Sequence, residues 1–304
     1  MAYMPSADET TVKQREYFQQ FLHFRDSQMP ETFSSIVPSS PTIFLITPTY
    51  ARHAQKSDLT RLVHTFKHVE NLFWIVVEDA SDKSDLVAKL LRKSGLRYAH
   101  LNVATPKGMK IDLASGDKQW SKPRGVWQRN EGLRWLRETF NKQAPVGNSA
   151  NQQQEGVVYF ADDDNTYDLD LFPEIRTVRT AGVWPVAFVG ELLVEKPIVV
   201  AGIVTGWDVA YKPDRPFAVD MAGFAVNLRL VLQHPHAGFD DGQPVGYQET
   251  YFLRGLGVTL PDLEPKAGNC SEVLVWHTRT EKVNVFAEKR WNARGKFSAG
   301  GMEF

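Results

Sequence analysis

The chain has 304 residues, of which 42% are hydrophobic and 23% charged, so it can bury a sizeable core and is neither a disordered polypeptide nor a small disulfide-stapled one. Lys plus Arg number 35 against 36 for Asp plus Glu, a net charge of -1 that excludes the overall basic footprint of a nucleic-acid or anionic-membrane binder. Any phosphate recognition must therefore be local. Cys270 is the only cysteine, which forbids an intrachain disulfide and a zinc cluster built on Cys.

No window approaches the roughly 18 consecutive apolar residues of a membrane-spanning helix, because Glu191, Glu195 and Lys196 interrupt the most apolar stretch. Asp8, Glu9 and Lys13 break up the amino-terminal segment, which has no apolar run of a signal peptide. The sequence as given thus predicts a soluble chain without an anchor.

Residues 1–40 are polar, end in Ser39-Ser40-Pro41 and read as a stem-like lead. Thr42 to Thr47 is a short apolar run; Leu59, Leu62, Val63 and Phe66 then recur at helical spacing, and Leu72 to Val77 is a second run. Leu86, Val87, Leu90 and Leu91 form another helical stripe, Tyr98 to Val103 a strand, Leu133 and Leu136 a helix after Pro123, and Val157 to Ala161 a fourth strand. This alternation predicts an α/β fold with a parallel sheet and helices on both faces. Beyond Asn165 the pattern breaks at Pro185, Pro197, Gly202, Gly206, Pro213 and Pro216, which predicts a mixed second lobe over 165–304 after a first lobe over 41–164. Asn141 to Glu155 lacks periodicity and reads as a mobile loop, and Gly295 to Phe304 reads as a frayed end.

The first strand is followed by Pro48-Thr49-Tyr50-Ala51-Arg52, without G-x-G-x-x-G, and no P-loop motif occurs, so NAD enzymes and P-loop NTPases drop out. Ligands of open α/β sheets bind beyond the carboxyl ends of strands, which is where Tyr50 and Glu78-Asp79 fall. Tyr50 suits stacking on a base and Asp79 suits a ring N–H; a turn tyrosine and a helix-capping aspartate are the plainer alternatives. The strongest signal is Val157 to Phe160 running into Ala161-Asp162-Asp163-Asp164-Asn165. Three adjacent carboxylates repel, and a hard divalent ion relieves them. Asp162 and Asp164 share one side if the strand pleat persists, although such a cluster is also good turn chemistry.

Arg124 and Arg129, at a helix start, suit diphosphate or carboxylate, and His277 and Arg279 are expected on one face of a strand where they could close over phosphate. Asp220 and Glu249 are acidic positions fit for acid/base work; Glu249 also reads as a first-turn acid favoured by the helix dipole. Asn269-Cys270-Ser271 matches the N-glycosylation pattern.

Taken jointly, Pro48-Thr49-Tyr50, Val77-Glu78-Asp79, Pro123-Arg124-Gly125, Tyr159 to Tyr167, Arg215-Pro216-Phe217 through Asp220 to Ala225, and Trp276 to Glu281 resemble the animal β-1,3-glucuronosyltransferases, in order across residues 41 to 283. The resemblance implies a GT-A fold, UDP-glucuronic acid as donor, Mn²⁺, inversion, and a galactose-terminated acceptor of the proteoglycan linker or a related glycan. It implies that Tyr50 and Asp79 hold uracil and that Arg124 and Arg129 contact ribose, phosphate or sugar. Asp162 and Asp163 face ribose or glucuronate, Asp164 binds the metal, and His277 and Arg279 lie by the diphosphate. Glu195, Arg215 and Asp220 line the acceptor galactose, and Glu249 is the base. A homodimer and a type II Golgi membrane setting are implied by the same resemblance. Some linker-specific relatives carry an arginine shortly before the catalytic glutamate, where this chain has Val245-Gly246. A GT-A transferase using another UDP-sugar and a catalytically silent glycan-binding protein remain the competing readings.

Overall fold

The computed structural model describes residues 40–111, 122–141, 156–300 and 302–303. Apart from Ser40 and the backbone of Asn141, the stem-like lead and the loop expected at Asn141 to Glu155 lie outside these residues.

Apolar runs without polar alternation predict strands covered on both faces. That is the state of β1 (Thr42–Thr49), β2 (Leu72–Glu78) and, after β3 (Arg97–Asn102), of β4 (Gly156–Phe160). Ile43, Leu45, Trp74, Val76, Val157 and Tyr159 enter one core, while Phe44, Ile46, Ile75, Val77, Val158 and Phe160 enter the other. Helix α1 (Gln55–Phe66) puts Leu59, Leu62, Val63 and Phe66 on the first core, as α2 (Asp85–Ser94) does Val87 and Leu91. Ser84 caps α2 by accepting from the Val87 N–H, and Gly95 ends it at φ 70°. On the opposite face α3 (Val126–Asn141) supplies Val126, Leu133 and Leu136.

β1 pairs in parallel with β2 and β4, and β2 with β3, so the carboxyl ends of all four strands share one rim. Later strands join the same sheet. β6 (Ala181–Val183), β10 (Phe224–Asn227) and β11 (Leu263–Pro265) complete a seven-stranded order of β11-β6-β10-β4-β1-β2-β3. The sheet therefore runs straight across the lobe boundary expected near Asn165. β10 is antiparallel to β4, so its start, not its end, lies at that rim, and that brings Asp220 there.

A second sheet is ordered β5-β12-β7-β8-β9 from β5 (Thr166–Tyr167), β7 (Val186–Ala187), β8 (Val194–Val200), β9 (Ile203–Asp208) and β12 (Val275–Trp276). Short helices α4 (Leu171–Arg176) and α5 (Leu228–Gln233) precede α6 (Gln248–Gly255), whose first turn carries Glu249, and α7 (Phe286–Asn292) lies near the carboxyl end. The end expected to fray is tied down at Glu303, which pairs with Lys56 on α1 at 3.2 Å and Lys89 on α2 at 3.1 Å. Cys270 is a buried free thiol, pushed up to about 11 by burial. No helix of the described residues is long and apolar enough to cross a membrane.

Candidate active site

Thr49 lies opposite Glu78 in the β1–β2 register, so Tyr50 and Asp79 leave adjacent strand ends side by side. Tyr50 is half exposed, with the Arg52 guanidinium 4.7 Å from its ring centroid. Asp79 does not cap a helix: its Oδ1 accepts from the Thr105 N–H at 2.7 Å and faces Lys110 Nζ at 3.5 Å. Beneath it Glu78 is buried and accepts from the Ser84 N–H at 2.8 Å, with His100 Nε2 at 2.6 Å. Burial alone would raise the Glu78 carboxyl, but these bonds hold it below the usual range.

The three aspartates after β4 part company. Asp162 accepts from Arg129 Nη2 at 2.5 Å, and Arg129 Nη1 also donates to the Arg124 carbonyl at 2.8 Å. A Cβ on Gly125 would stand 2.5 Å from Arg129 Nη1 and its φ is +71°, so only glycine lets Arg129 pack there. Arg129 is buried and its Nε has no partner among the described residues, whereas Arg124 is exposed. Asp163, expected to face ribose or glucuronate, is tied into the frame of the site through one oxygen. It is buried, and its Oδ2 accepts from Thr49 Oγ1 at 2.6 Å and Arg52 Nη1 at 2.7 Å. Burial pushes it up in spite of that bonding. Asp164 is half-buried and also raised, first by burial and then by the Asp162 charge, against the pull of Arg52, the Thr280 amide and His277. A carboxylate strained in this way by desolvation and a like charge is chemically suited to a hard divalent cation.

His277 and Arg279 do not share a strand face, because β12 ends at Trp276: after the His277 N–H donates to the Ala187 carbonyl at 2.9 Å, the chain turns, with Thr278 N–H on the Trp276 carbonyl at 2.8 Å. His277 turns inward to Asp220, its Nδ1 3.3 and 3.4 Å from the two carboxylate oxygens, while Arg279 is exposed. Asp220 also caps the 3₁₀ turn Met221–Gly223 by accepting from the Ala222 N–H at 2.9 Å. Burial would raise Asp220, yet His277, the Ala222 amide and Arg129 hold it below its ordinary range. His277 is lowered by burial and raised by more through Asp220 and Asp162, so the imidazolium is favoured.

Glu249 enters from α6, whose position is fixed by Thr250 Oγ1 on the Phe217 carbonyl at 2.9 Å and Gln248 Nε2 on the Asp240 carbonyl at 2.6 Å. The turn before it needs Gly246, at φ +80° with Tyr211 ring carbon 2.8 Å from any added Cβ. Glu249 is half-buried and pushed up to about 7, by burial first and by the Asp220 charge second. Glu195, on β8, is buried and raised likewise, and its Oε1 accepts from the Ala210 N–H at 3.1 Å. Arg215 spends its donors on backbone: Nη1 on the Gly246 carbonyl, Nε on Lys212 at 3.2 Å and Nη2 on Tyr211 at 3.0 Å. It therefore braces the turn before Glu249, with a second N–H on each of Nη1 and Nη2 beyond these bonds. The charges of Glu195, Arg215, Asp220, Glu249, Arg129 and His277 act on one another, so these residues lie near one another. Asn269 is exposed at φ 57°, on the turn that buries Cys270.

Sequence reasoning passed over Arg52, Asp58 and Thr280. Arg52 and Thr280 sit inside quoted motifs, but Asp58 reads as one more polar residue of an amphipathic helix.

Human galactosylgalactosylxylosylprotein 3-beta-glucuronosyltransferase 1 is 57% identical over 244 residues, 80% of this chain and 70% of that protein. The Canis lupus familiaris galactosylgalactosylxylosylprotein 3-beta-glucuronosyltransferase 2 is 47% identical over 268 residues, 88% and 76% respectively. A crystal structure of S. aureus TarS 1-349 aligns at a TM-score of 0.45 and 14% identity over 78% of this chain and 60% of that one. The family model of glycosyltransferase family 43 matches residues 62–281, and the chain belongs to that family. It is a glycosyltransferase.

Proposed function

We propose that the chain is an inverting, Mn²⁺-dependent transferase of GT-A type that moves glucuronic acid from UDP-glucuronic acid to the 3-hydroxyl of a terminal galactose. Glu249 carries the reading: a half-buried carboxyl in a first helical turn, pushed up to about 7, is tuned to take a proton near neutral pH. In the step proposed, a Glu249 carboxylate oxygen accepts the proton of the galactose 3-hydroxyl as that oxygen bonds to the anomeric carbon. The bond to the UDP oxygen breaks on the opposite face, with its electron pair leaving on the diphosphate, and the centre inverts.

Around that step, Tyr50 offers an exposed ring face to uracil and Asp79 a carboxylate to a ring N–H. Asp162, oriented by Arg129, faces ribose, while His277 and Arg279 supply positive charge toward the diphosphate and the glucuronate carboxylate. Glu195 and Asp220 orient the galactose, and Arg215 holds the Glu249 turn. Asp164 would hold Mn²⁺, with the remaining ligands being phosphate oxygens and water, as is usual for such ions. The cation would offset charge building on the departing diphosphate. The relatives' names support the glucuronosyl donor and a galactose-containing acceptor. The family resemblance supports a homodimer in the Golgi lumen.

Incubation with UDP-glucuronic acid, UDP-glucose, UDP-galactose and UDP-N-acetylglucosamine plus linker-type and lactosamine galactosides, read by mass spectrometry, tests this. Product is expected from UDP-glucuronic acid far above the others, since the neutral sugars lack the carboxylate that the positive charge of His277 and Arg279 would meet. Equal kcat/KM for UDP-glucuronic acid and UDP-glucose overturns the donor assignment, and glycan binding without product from any donor favours the silent binding protein.

A further inference from the structure

Asp58 is a carboxylate that the proposed chemistry does not use, yet it is 1% exposed. It sits in the first turn of α1, where an acid already suits the helix dipole. Its Oδ2 accepts from Arg52 Nη2 at 2.7 Å and its Oδ1 from Arg61 Nη2 at 2.6 Å, so two guanidinium groups already balance its charge. A third donor arrives from 222 residues away: Thr280 Oγ1, at 2.7 Å from Oδ1. Two residues earlier, Thr278 Oγ1 donates to the Asp164 backbone carbonyl at 2.6 Å. The segment carrying His277 and Arg279 is thus stapled at Thr278 to the aspartate run and at Thr280 to Asp58.

Arg52 closes the circuit. Its other nitrogen, Nη1, donates to Asp163 at 2.7 Å, and Thr49 holds the same Asp163 oxygen at 2.6 Å. Asp163 is the immediate chain neighbour of Asp164, so both sides of Asp164 are fixed by partners of one buried carboxylate.

We infer that Asp58 is a positioning residue, which through Arg52 and Thr280 sets the Asp163-Asp164 turn and the 277–280 segment into the one arrangement that presents Asp164 to the cation and diphosphate. This rests on the reading of Asp164 as the metal carboxylate. Charge pairing alone does not account for Thr280, because the two arginines suffice; the hydroxyl adds direction, joining the strand-end side of the site to a segment that would otherwise hang from a two-residue strand.

The test is calorimetry of UDP binding with and without Mn²⁺ on wild type, Asp58→Asn, Thr280→Val and the double variant, with melting curves and amide exchange of residues 277–281 measured ligand-free. Asp58→Asn is expected to weaken Mn²⁺-dependent UDP binding about tenfold or more. Thr280→Val, which removes one hydroxyl at a part-exposed site, weakens it severalfold with its Tm within about 2 °C of wild type. The double variant is no weaker than Asp58→Asn, since both act through one contact. Amide exchange at 277–281 quickens in both. A helix-start role alone would lower the Tm of Asp58→Asn and leave the affinity of the folded protein and the behaviour of Thr280→Val untouched; that result overturns the inference. If Asp58→Asn does not fold, Thr280→Val decides. If wild type itself shows no Mn²⁺-dependent UDP binding, the reading of Asp164 is wrong, and the ligand-free exchange still decides the positioning role.

Discussion

At the ends of β1 and β4, Asp162 and Asp163 each meet a guanidinium at 2.5 and 2.7 Å, whereas Glu249 and Glu195 are raised by burial with no ion pair among the described residues. The contrast separates two uses of a buried acid. On the strand-end side Asp162 and Asp163 are each paired with an arginine in advance, which frames Asp164 between them and the 277–280 segment. On the α6 side burial and the Asp220 charge keep a carboxyl protonated to about pH 7, so the same desolvation that would be a liability elsewhere makes Glu249 a stronger base when it ionises.

The sharpest way to break the comparison is to remove a charge from the strand-end side that has no guanidinium of its own. Asp164→Ala should abolish Mn²⁺-dependent UDP binding in calorimetry while the protein stays folded; unchanged metal-dependent affinity would show that Asp164 is an ordinary turn residue. Next in size is Arg52→Ala, which strands Asp163 as a buried carboxylate and leaves Asp58 with Arg61 as its one guanidinium. A loss of about 3–5 kcal/mol in denaturant unfolding is expected, and a loss under 1 kcal/mol would mean that solvent already screens the pair.

Gly246→Ala probes the other side. Its φ of +80° and the Tyr211 ring carbon 2.8 Å from the new Cβ predict about 1–3 kcal/mol of destabilisation. Because Arg215 and Glu249 flank that turn, kcat should fall and UDP affinity should not. A parallel loss of UDP affinity would mean that the two sides move together.

Smallest is a pH effect on stability. Unfolded, Glu249 loses its proton near 4.5; folded, near 7. Between those values the folded state binds more protons, so the Glu249 contribution to stability falls as pH rises from about 4.5 to about 7 and is level outside that window. Glu249→Gln should therefore be more stable than wild type at pH 8 by about 1–3 kcal/mol and nearly equal to it at pH 4.5. Equal stability at both values would place the carboxyl in solvent.

The same contrast explains what could be read from the chain. Unbroken apolar runs must be covered on both faces, and parallel strands must end on one rim, so Tyr50, Asp79 and the Asp162 to Asp164 run were legible as neighbours before any coordinates. The bracing was not. Arg52 reaches Asp163 over 111 residues and Thr280 reaches Asp58 over 222, distances at which periodicity carries no information. His277 and Arg279 look like alternate residues of a strand, but with only two residues in β12 a single turn at Thr278 sends their side chains apart. Arg215 reads as an acceptor-binding residue, and only the fold reveals that it also bonds three backbone carbonyls.

The most direct measurement is the turnover of Glu249→Gln with UDP-glucuronic acid, Mn²⁺ and a galactoside, with UDP affinity measured on the same preparation. Glutamine keeps the shape of the side chain and removes its basicity. A general base at this position predicts a fall in kcat of about 10² to 10⁴ with UDP and Mn²⁺ affinity nearly unaltered. A folded Glu249→Gln protein that turns over at close to the wild-type rate would contradict the assignment and shift the search to Asp220.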